Sequence, residues 1–446
     1  MPDGADLLTR FENVPFSRWH ARARVIVGSA TFFDGFDSLS LAFALPVLIR
    51  LWNITPAESG LLISSSYIGQ ILGAVSFSWL AEKYGRIRSA AAAVTLMSVM
   101  SLGCALSTNF AMLFAFRFVQ GIGLGGEMPV AAAYISEVSK ARGRGRFFIL
   151  YEMIFPIGLM AAGQIGALIV PVFGWQIMLL LGGIPGLVIA FMLTRLPESP
   201  RWLISRGRIA EAERIVKEVE AKAGSAAAPV EPLASAPVVA GERSRWIELL
   251  GNSFLNRTLV VWTLWFISYF ITNSLNNWMP SLYNTIYGLG LRESLRAASM
   301  TNVAQVIVLL LCAYFIDRAG RRNWTVICFI IGAVLLAVLG FSGAGSVTGV
   351  MILATASYGI VGSVNAVLYL YTPEIYPTRM RAIGTGLATS WLRLASAAGP
   401  AIVGVMVGSV GIASVFIMFA AAAVVGAVAG RYIIETRARR LEEIAS

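Results

Sequence analysis

Two charged segments decide how the chain is built: Glu82-Lys83-Tyr84-Gly85-Arg86-Ile87-Arg88 and, 235 residues further on, Asp317-Arg318-Ala319-Gly320-Arg321-Arg322. Each is a short polar break between long apolar runs. Two further landmarks repeat at nearly the same distance. Glu137 precedes Arg144 by seven residues, and Glu374 precedes Arg381 by seven, at an offset of 237. Pro197-Glu198-Ser199 is echoed by Glu435-Thr436, again at 237. Three landmarks at one offset predict a tandem duplication, with two like units related by an axis along a membrane normal.

The apolar runs around these breaks are long enough to cross a bilayer, which takes about 20 residues of helix. Twelve spans are expected, near 24–49, 57–81, 89–108, 111–137, 147–171, 175–195, 258–282, 295–316, 324–343, 347–371, 381–407 and 412–433. The composition agrees: of 446 residues, 57% are hydrophobic and 13% charged, too little polar surface for a soluble globule of this size. The expected fold is an all-α membrane protein of two six-helix bundles. The expected parts are a tail at 1–23, a first bundle at 24–195, a linker at 196–256, a second bundle at 257–434 and a tail at 435–446. Within the linker, residues 208–222 carry helical apolar spacing, and 223–241 reads as flexible Ala/Pro/Val-rich chain. Met1–Arg24 is polar and basic, without the apolar core of a cleavable leader, so insertion is expected to use the first span.

The net charge of +11 is not a nucleic-acid signature, because it is distributed by side. Thirty of the 35 Lys and Arg residues lie in the tails and in the loops on the tails' side, and three (Arg50, Arg292, Arg296) lie opposite. That bias puts both termini in the cytoplasm. It also suits anionic lipid headgroups. Cys104, Cys312 and Cys328 sit in apolar runs without metal-ligand spacing and read as packing residues. No metal, cofactor or nucleic acid is expected, nor any nucleophile–base set for catalysis. His20, ahead of the first span, reads as interfacial.

Charges inside spans need a reason, since each costs about 2.5–3.5 kcal/mol at mid-bilayer. Asp34 and Asp37 are three apart and share a helix face. At ~1.5 Å per residue, Asp37 lies ~20 Å into the first span. Arg117, in the fourth span, comes to ~21 Å from the same side of a ~30 Å core. The depths allow an Asp37–Arg117 pair, read either as a proton switch that opens and closes or as a permanent ion pair between helices. Asp34 is read as a substrate contact, a second proton site or a packing residue. Glu127, ~6 Å from the end of its span by the same arithmetic, is read as a gating or structural acid, and Glu152 similarly or as cavity-facing. Arg393, near the middle of the eleventh span, is a natural carboxylate anchor because its planar fork matches two oxygens. The competing reading pairs it with a carbonyl or a distant acid.

Polar and aromatic residues expected to line a cavity are Tyr269, Asn273, Asn276, Asn277 and Trp278 on the seventh span. Asn302 and Gln305 on the eighth, Asn365 and Tyr369 on the tenth, and Trp391 on the eleventh join them. Such residues stack flat rings and hydrogen-bond ring substituents. Membrane-buried Asn also glues helices, and Trp278 with Tyr283 equally fits an interfacial belt. On the basic side, Glu82, Arg86, Arg88, Glu137, Arg144 and Glu198, with Asp317, Arg321, Glu374, Arg381 and Glu435, are expected to form charge networks that gate the two halves.

The charged loops resemble the signature of the major facilitator superfamily, with departures at Glu82, Ile87 and Ser78. Arg117-Phe118-Val119-Gln120-Gly121-Ile122-Gly123 resembles its fourth-helix motif. Pro197-Glu198-Ser199-Pro200-Arg201-Trp202-Leu203 and Glu435-Thr436-Arg437 resemble the sugar-porter-related branch. Asp34-Gly35-Phe36-Asp37 is similar to the Asp-Gly-x-Asp motif of aromatic acid:proton symporters. Gly125-Gly126-Glu127-Met128-Pro129-Val130-Ala131 and Tyr371-Thr372-Pro373-Glu374-Ile375-Tyr376-Pro377-Thr378 resemble bacterial niacin transporters. Where sugar porters carry Gln-Gln…Asn, this chain has Asn273-Ser274-Leu275-Asn276-Asn277, which argues against a hexose. The resemblance implies a monomeric, proton-coupled importer of a small aromatic carboxylate such as nicotinate in a bacterial inner membrane, with Asp37 at the proton-accepting position. The alternatives carried forward are a sugar or organic-cation transporter and a ligand-binding membrane sensor.

Overall fold

The computed structural model describes residues 4–15, 17–138, 153–223, 246–251, 254–342, 346–376 and 380–436. A short helix, α1 (Gly4–Asn13), precedes the first six long ones: α2 (Arg18–Trp52), α3 (Pro56–Tyr84), α4 (Arg86–Ala105), α5 (Phe110–Val138), α6 (Ile154–Phe173) and α7 (Gln176–Thr194). Two linker helices, α8 (Pro200–Ser205) and α9 (Ile209–Ala223), lead towards the second six. These are α10 (Leu255–Thr285), α11 (Leu291–Ala319), α12 (Arg321–Phe341), α13 (Val347–Glu374), α14 (Arg381–Ser409) and α15 (Ile412–Gly430).

Eleven of the twelve long helices meet both the length and the apolarity needed to cross a bilayer. The twelfth, α5, is 29 residues long. Its hydropathy is diluted by Arg117, Gln120 and Glu127, all buried at 2% exposure or less. A polar side chain that faces neighbouring helices rather than lipid does not disqualify a span.

The duplication is visible in the packing. In the first half α2 packs on α5, α6 and α7, α3 on α5, and α4 on α5 and α7. In the second half α10 packs on α13, α14 and α15, α11 on α13, and α12 on α13 and α15. Every one of these contacts recurs eight labels later. The halves meet through α3 with α14, α6 with α11, and α2 with α10, a set that exchanging the halves maps onto itself.

Small residues set the helix spacing. With no hydrophobic force between helices in lipid, association depends on close van der Waals approach. A Cβ on Gly69 would strike Phe118 O, one on Gly73 would strike Ile122 O, and one on Gly121 would strike Ser66 O. The bundles approach as closely at the end away from the basic loops. A Cβ on Gly60 would reach Pro400 O at 2.5 Å, and one on Gly404 would strike Pro56 O. Midway along, the Gln164 amide donates to Ser299 O at 3.3 Å across the seam.

The tail before the first span contains structure that sequence reading did not anticipate. Leu7 and Phe11 of α1 are buried with Ile215, Val216 and Val219 of α9 in one apolar cluster. Arg10 grips Glu220 through two bonds of 3.0 and 2.7 Å. His20 is buried beside Phe11 and Trp19. Its Nδ1 accepts the Ser17 main-chain N–H at 3.3 Å.

Overpacking the α3–α5 contact should be felt. Gly121→Val is expected to lose about 1–3 kcal/mol, read as a lower melting temperature in detergent. Gly386→Ala, where an added Cβ meets nothing within 4 Å, should leave it unchanged.

Candidate functional site

Ionisable groups in the spans collect in two neighbouring places. The first lies inside the first bundle. Asp37 is fully buried, and its Oδ1 accepts the Ser101 hydroxyl at 3.1 Å. Gly182 of α7 closes over this carboxylate, and a Cβ there would strike Oδ1. Arg117 donates through Nη1 to Gln120 Oε1 at 2.8 Å and to the main-chain oxygen of Asp37 at 3.4 Å. The expected ion pair is therefore indirect: Arg117 reaches the Asp37 backbone, while a serine holds the carboxylate. Asp37 Oδ2, Arg117 Nε and Gln120 Nε2 are buried without hydrogen-bond partners. Buried polar atoms are seldom left so, and this cluster has unused capacity for a second arrangement. Ser101 and Gln120 were not singled out from sequence. Their place, three residues after Arg117 in one case and on α4 in the other, gives only the first a local signal.

The second place is the seam between the bundles. Asp34 is buried, with Ser38 Oγ 3.5 Å from its Oδ1 and Glu127 among its electrostatic neighbours. Thr31 donates to Glu127 Oε1 at 3.1 Å. Glu127 was expected among the gating charges near the end of its span. It is fully buried, on the face of α5 that meets Thr31 of α2.

Facing this pair from the second half is Arg393 of α14. It is half-buried, and its Nη2 lies 3.4 Å from Gly125 O of α5. Its Nε is buried without a hydrogen-bond partner. Its electrostatic neighbours are Tyr369, Asp34 and Tyr269. Around it stands an aromatic wall: Tyr269 stacks on Trp265 at 5.6 Å, and Tyr369 meets Trp265 edge-on at 4.6 Å. Trp391 packs against Trp262 at 5.3 Å. Trp265, missed from sequence, is fixed by donation from its Nε1 to Thr372 Oγ1 at 2.9 Å.

The amides sort into those committed to the scaffold and those that are open. Trp278 donates to Pro400 O at 3.1 Å and staples α10 to α14. Asn365 accepts from Ser268 at 2.5 Å and donates to Thr272 at 3.3 Å. Gln305 accepts from Tyr358 at 2.8 Å, and Asn273 donates to Ser396. Asn277 crosses the seam to Tyr67 of α3 at 3.1 Å; sequence reading missed Tyr67 and Tyr358. Among the described residues, Asn276 has no hydrogen-bond partner, and both amide atoms of the fully buried Asn302 are unpaired.

At the basic face the two halves carry the same clamp. Glu198 accepts the main-chain N–H groups of Arg86 at 3.0 Å and Ile87 at 3.1 Å, at the start of α4. Glu435 accepts those of Arg321 at 3.0 Å and Arg322 at 3.1 Å, at the start of α12. A carboxylate at a helix N-terminus satisfies otherwise unpaired donors and the helix dipole. Gly85 (φ 109) and Gly320 (φ 81) precede these helices, and a Cβ on either would enter its glutamate. Arg86 pairs with Glu137 at 3.1 Å, and Arg321 with Glu374 at 3.3 Å. Tyr134 OH donates to Pro197 O at 3.0 Å, and the equivalent Tyr371 OH accepts Ile434 N–H at 3.0 Å. Glu82 and Arg88 are exposed and stand outside the clamp. Arg144 and Glu152 lie outside the described residues, as do the side chains of Asp317 and Arg381.

Several comparisons bear on this arrangement. The family model described as "Sugar (and other) transporter" matches residues 34–446. The chain is 34% identical to the niacin transporter NiaP of Acinetobacter baylyi over 98% of its length and 99% of that protein's. It is 29% identical to the 4-hydroxybenzoate transporter PcaK of Pseudomonas aeruginosa, covering 85% of this chain and 83% of that one. Among solved structures it is similar to the partially occluded inward-open xylose transporter XylE from E. coli. There the TM-score is 0.74 at 19% identity, over 95% of this chain and 100% of that one.

Burial outweighs the main-chain donors on Glu198 and pushes its carboxyl above the ordinary glutamate range. The folded state then holds the proton more tightly than the unfolded chain. This contribution is full below the unfolded pKa and lost as pH rises through the folded one. Glu198→Gln removes it, so the melting temperature of the variant minus that of the parent should be more positive at pH 8 than at pH 5.

Proposed function

Because the chain belongs to the sugar (and other) transporter family, a branch of the major facilitator superfamily, we propose that it imports a small aromatic carboxylate, of the nicotinate or hydroxybenzoate kind, together with protons. The chain is a multi-pass membrane transporter and not an enzyme. The observation that carries the substrate class is Arg393: a guanidinium at the seam, walled by Tyr269 and Tyr369, with one long hydrogen bond to a main-chain oxygen. A carboxylate supplies the bidentate partner that this fork lacks, and the tyrosines and Trp265 supply faces for a flat ring. Asn276 and Asn302 offer amides to ring substituents. The names of the NiaP and PcaK relatives support the same class.

In this reading the basic face is cytoplasmic, and the protein works as a monomer in a bacterial inner membrane. The contacts of Gly60 with Pro400 and of Gly404 with Pro56 close the outer end, and the paired Glu198 and Glu435 clamps hold each half rigid while it rocks. Asp37, with Arg117 and Asp34, couples transport to protons. The partly unsatisfied Asp37–Arg117–Gln120 cluster supports this, since a buried carboxylate whose partner can move is a carboxylate that can take a proton. The protonmotive force supplies about 2.3 kcal/mol per charge per 100 mV, enough to drive uptake of an anion uphill.

Purified protein in proteoliposomes, given an inward proton gradient and nicotinate, 4-hydroxybenzoate, benzoate, glucose or choline, tests the reading. Gradient-driven uptake of a carboxylate is expected, and uptake of glucose or choline alone would overturn it. Arg393→Ala should weaken carboxylate affinity by at least about tenfold, the worth of one charge-assisted hydrogen bond, with Arg393→Lys in between. Asp37→Asn should abolish accumulation against a gradient; full uphill uptake by that variant would remove Asp37 from the coupling.

A further inference from the structure

A cavity of about 400 Å³ lies at the basic end of the first bundle, apart from the central site. That volume is in the range of small-ligand sites. Arg18 and Arg22 line it from the start of α2, Arg195 from just past the end of α7, and Glu218 with Lys222 from α9. Its charges are unbalanced. Glu218 is the single acid in the lining and is already bonded to Lys222 at 2.6 Å. Among the described residues no acid pairs with Arg18, Arg22 or Arg195. The α2 arginines also stand where a cation is least favoured. A helix N-terminus carries partial positive charge, and the first turn of α2 holds no acid. An anion among the three arginines relieves both the mutual repulsion and the unfavourable dipole.

The chemistry of that anion follows from the surfaces that lead to the cavity. On α7, Ile184, Val188 and Phe191 are each more than half exposed. Arg195 continues the same helix face, at i, i+4, i+7 and i+11. Its guanidinium lies over the Phe191 ring at 4.8 Å. On α2, Arg18 and Arg22 share a face with Val25, at i, i+4 and i+7, and Val25 is also more than half exposed. The two helices pack on each other. Two exposed apolar stripes therefore run up to one cationic cavity. A soluble phosphate would use only the charges, whereas a phospholipid uses both features, and basic pockets between spans suit acidic headgroups.

We propose that this cavity binds an anionic phospholipid, with the headgroup phosphate held by Arg18, Arg22 and Arg195 and the acyl chains laid along the exposed stripes of α2 and α7. The proposal is independent of which solute is transported. The third wall, α9, is itself clasped by α1, through Leu7 and Phe11 on Ile215, Val216 and Val219 and through Arg10 on Glu220. A headgroup seated beside Lys222 therefore ties the linker between the halves to the first bundle.

The test is lipid binding to the intact protein, purified in detergent and stripped of lipid, with bound molecules counted by native mass spectrometry. The probes are phosphatidylglycerol, phosphatidylcholine, glycerol 3-phosphate and inorganic phosphate. The first phosphatidylglycerol should bind at least about tenfold more tightly than phosphatidylcholine. Arg18→Gln/Arg22→Gln should weaken it by at least about tenfold, the worth of one charge-assisted hydrogen bond, and Arg195→Gln similarly. Arg214→Gln/Lys217→Gln removes two exposed cations of α9 that do not line the cavity and should leave the affinity unchanged. Equal binding of the two lipids by the parent protein overturns the inference whether or not a variant folds. So does displacement of the lipid by equimolar glycerol 3-phosphate or inorganic phosphate, which would make the cavity a soluble-phosphate site. A folded Arg18→Gln/Arg22→Gln protein with the parent's affinity overturns it too. An equal loss in the Arg214→Gln/Lys217→Gln protein does the same, by reducing the preference to net charge.

Discussion

A bilayer forgives no unpaired charge, and that constraint organises this molecule more than any single contact. Asp34, Asp37, Arg117, Glu127 and Arg393 all lie within spans, and each would cost about 2.5–3.5 kcal/mol if left among lipid tails. The chain meets the cost by turning all five away from lipid. Four are almost entirely buried and Arg393 is half-buried at the seam. To bring them there, α5 gives up apolar surface for Arg117, Gln120 and Glu127 and packs on α3 through glycines. The polar interior and the close helix packing are thus one solution: small residues bring the backbones together, and the backbones then exclude lipid from the charges.

The duplication explains the ends of the helices as the charges explain their middles. Glu198 and Glu435 each cap the helix that follows a positive-φ glycine, and Arg86 and Arg321 each pair with an acid at the end of the next helix. Repetition of the same caps, glycine and tyrosine in both halves ties each six-helix unit together at its basic end. Rigid halves joined at a seam of small residues are what rocking about a central site requires.

The fold was legible from sequence because its signals are periodic and redundant: apolar runs of spanning length, a one-sided charge bias and three landmarks at one offset. The clamp was legible for the same reason, apart from Glu82 and Arg88, whose charged loop positions look alike to Arg86 and differ only in which way the helix turns them. The site was legible by residue type but not by partner. Depth arithmetic places a residue along its span but not around it, so the burial of Glu127 against α2 was not legible. It also matched Asp37 to Arg117 without the azimuth that sends the guanidinium to the backbone and Gln120. Tyr67, Tyr358 and Trp265 carry no local signal at all, since an aromatic residue in an apolar span reads the same whether it faces lipid, core or seam. Trp278 was selected for its position, and its stapling to Pro400 O depends on a partner 122 residues away.

The two halves share a scaffold but divide the chemistry, and the division has a consequence. Among the described residues, the three buried acids, Asp34, Asp37 and Glu127, belong to the first bundle, with Arg117 beside Asp37. The second bundle contributes a single cation, Arg393, and the aromatic and amide wall around it. Had acid and arginine been on one bundle, rocking would leave their distance fixed, and proton binding would have no leverage on the motion. Placed on opposite bundles, their separation would change with the rocking proposed above. In that proposed cycle, an ion that alters the attraction between Asp34 and Arg393 would alter the balance between the two arrangements by the difference in interaction energy between them. On the proposed function, an asymmetric distribution of charge over a symmetric scaffold is what would let ion binding at the centre act on the position of the halves.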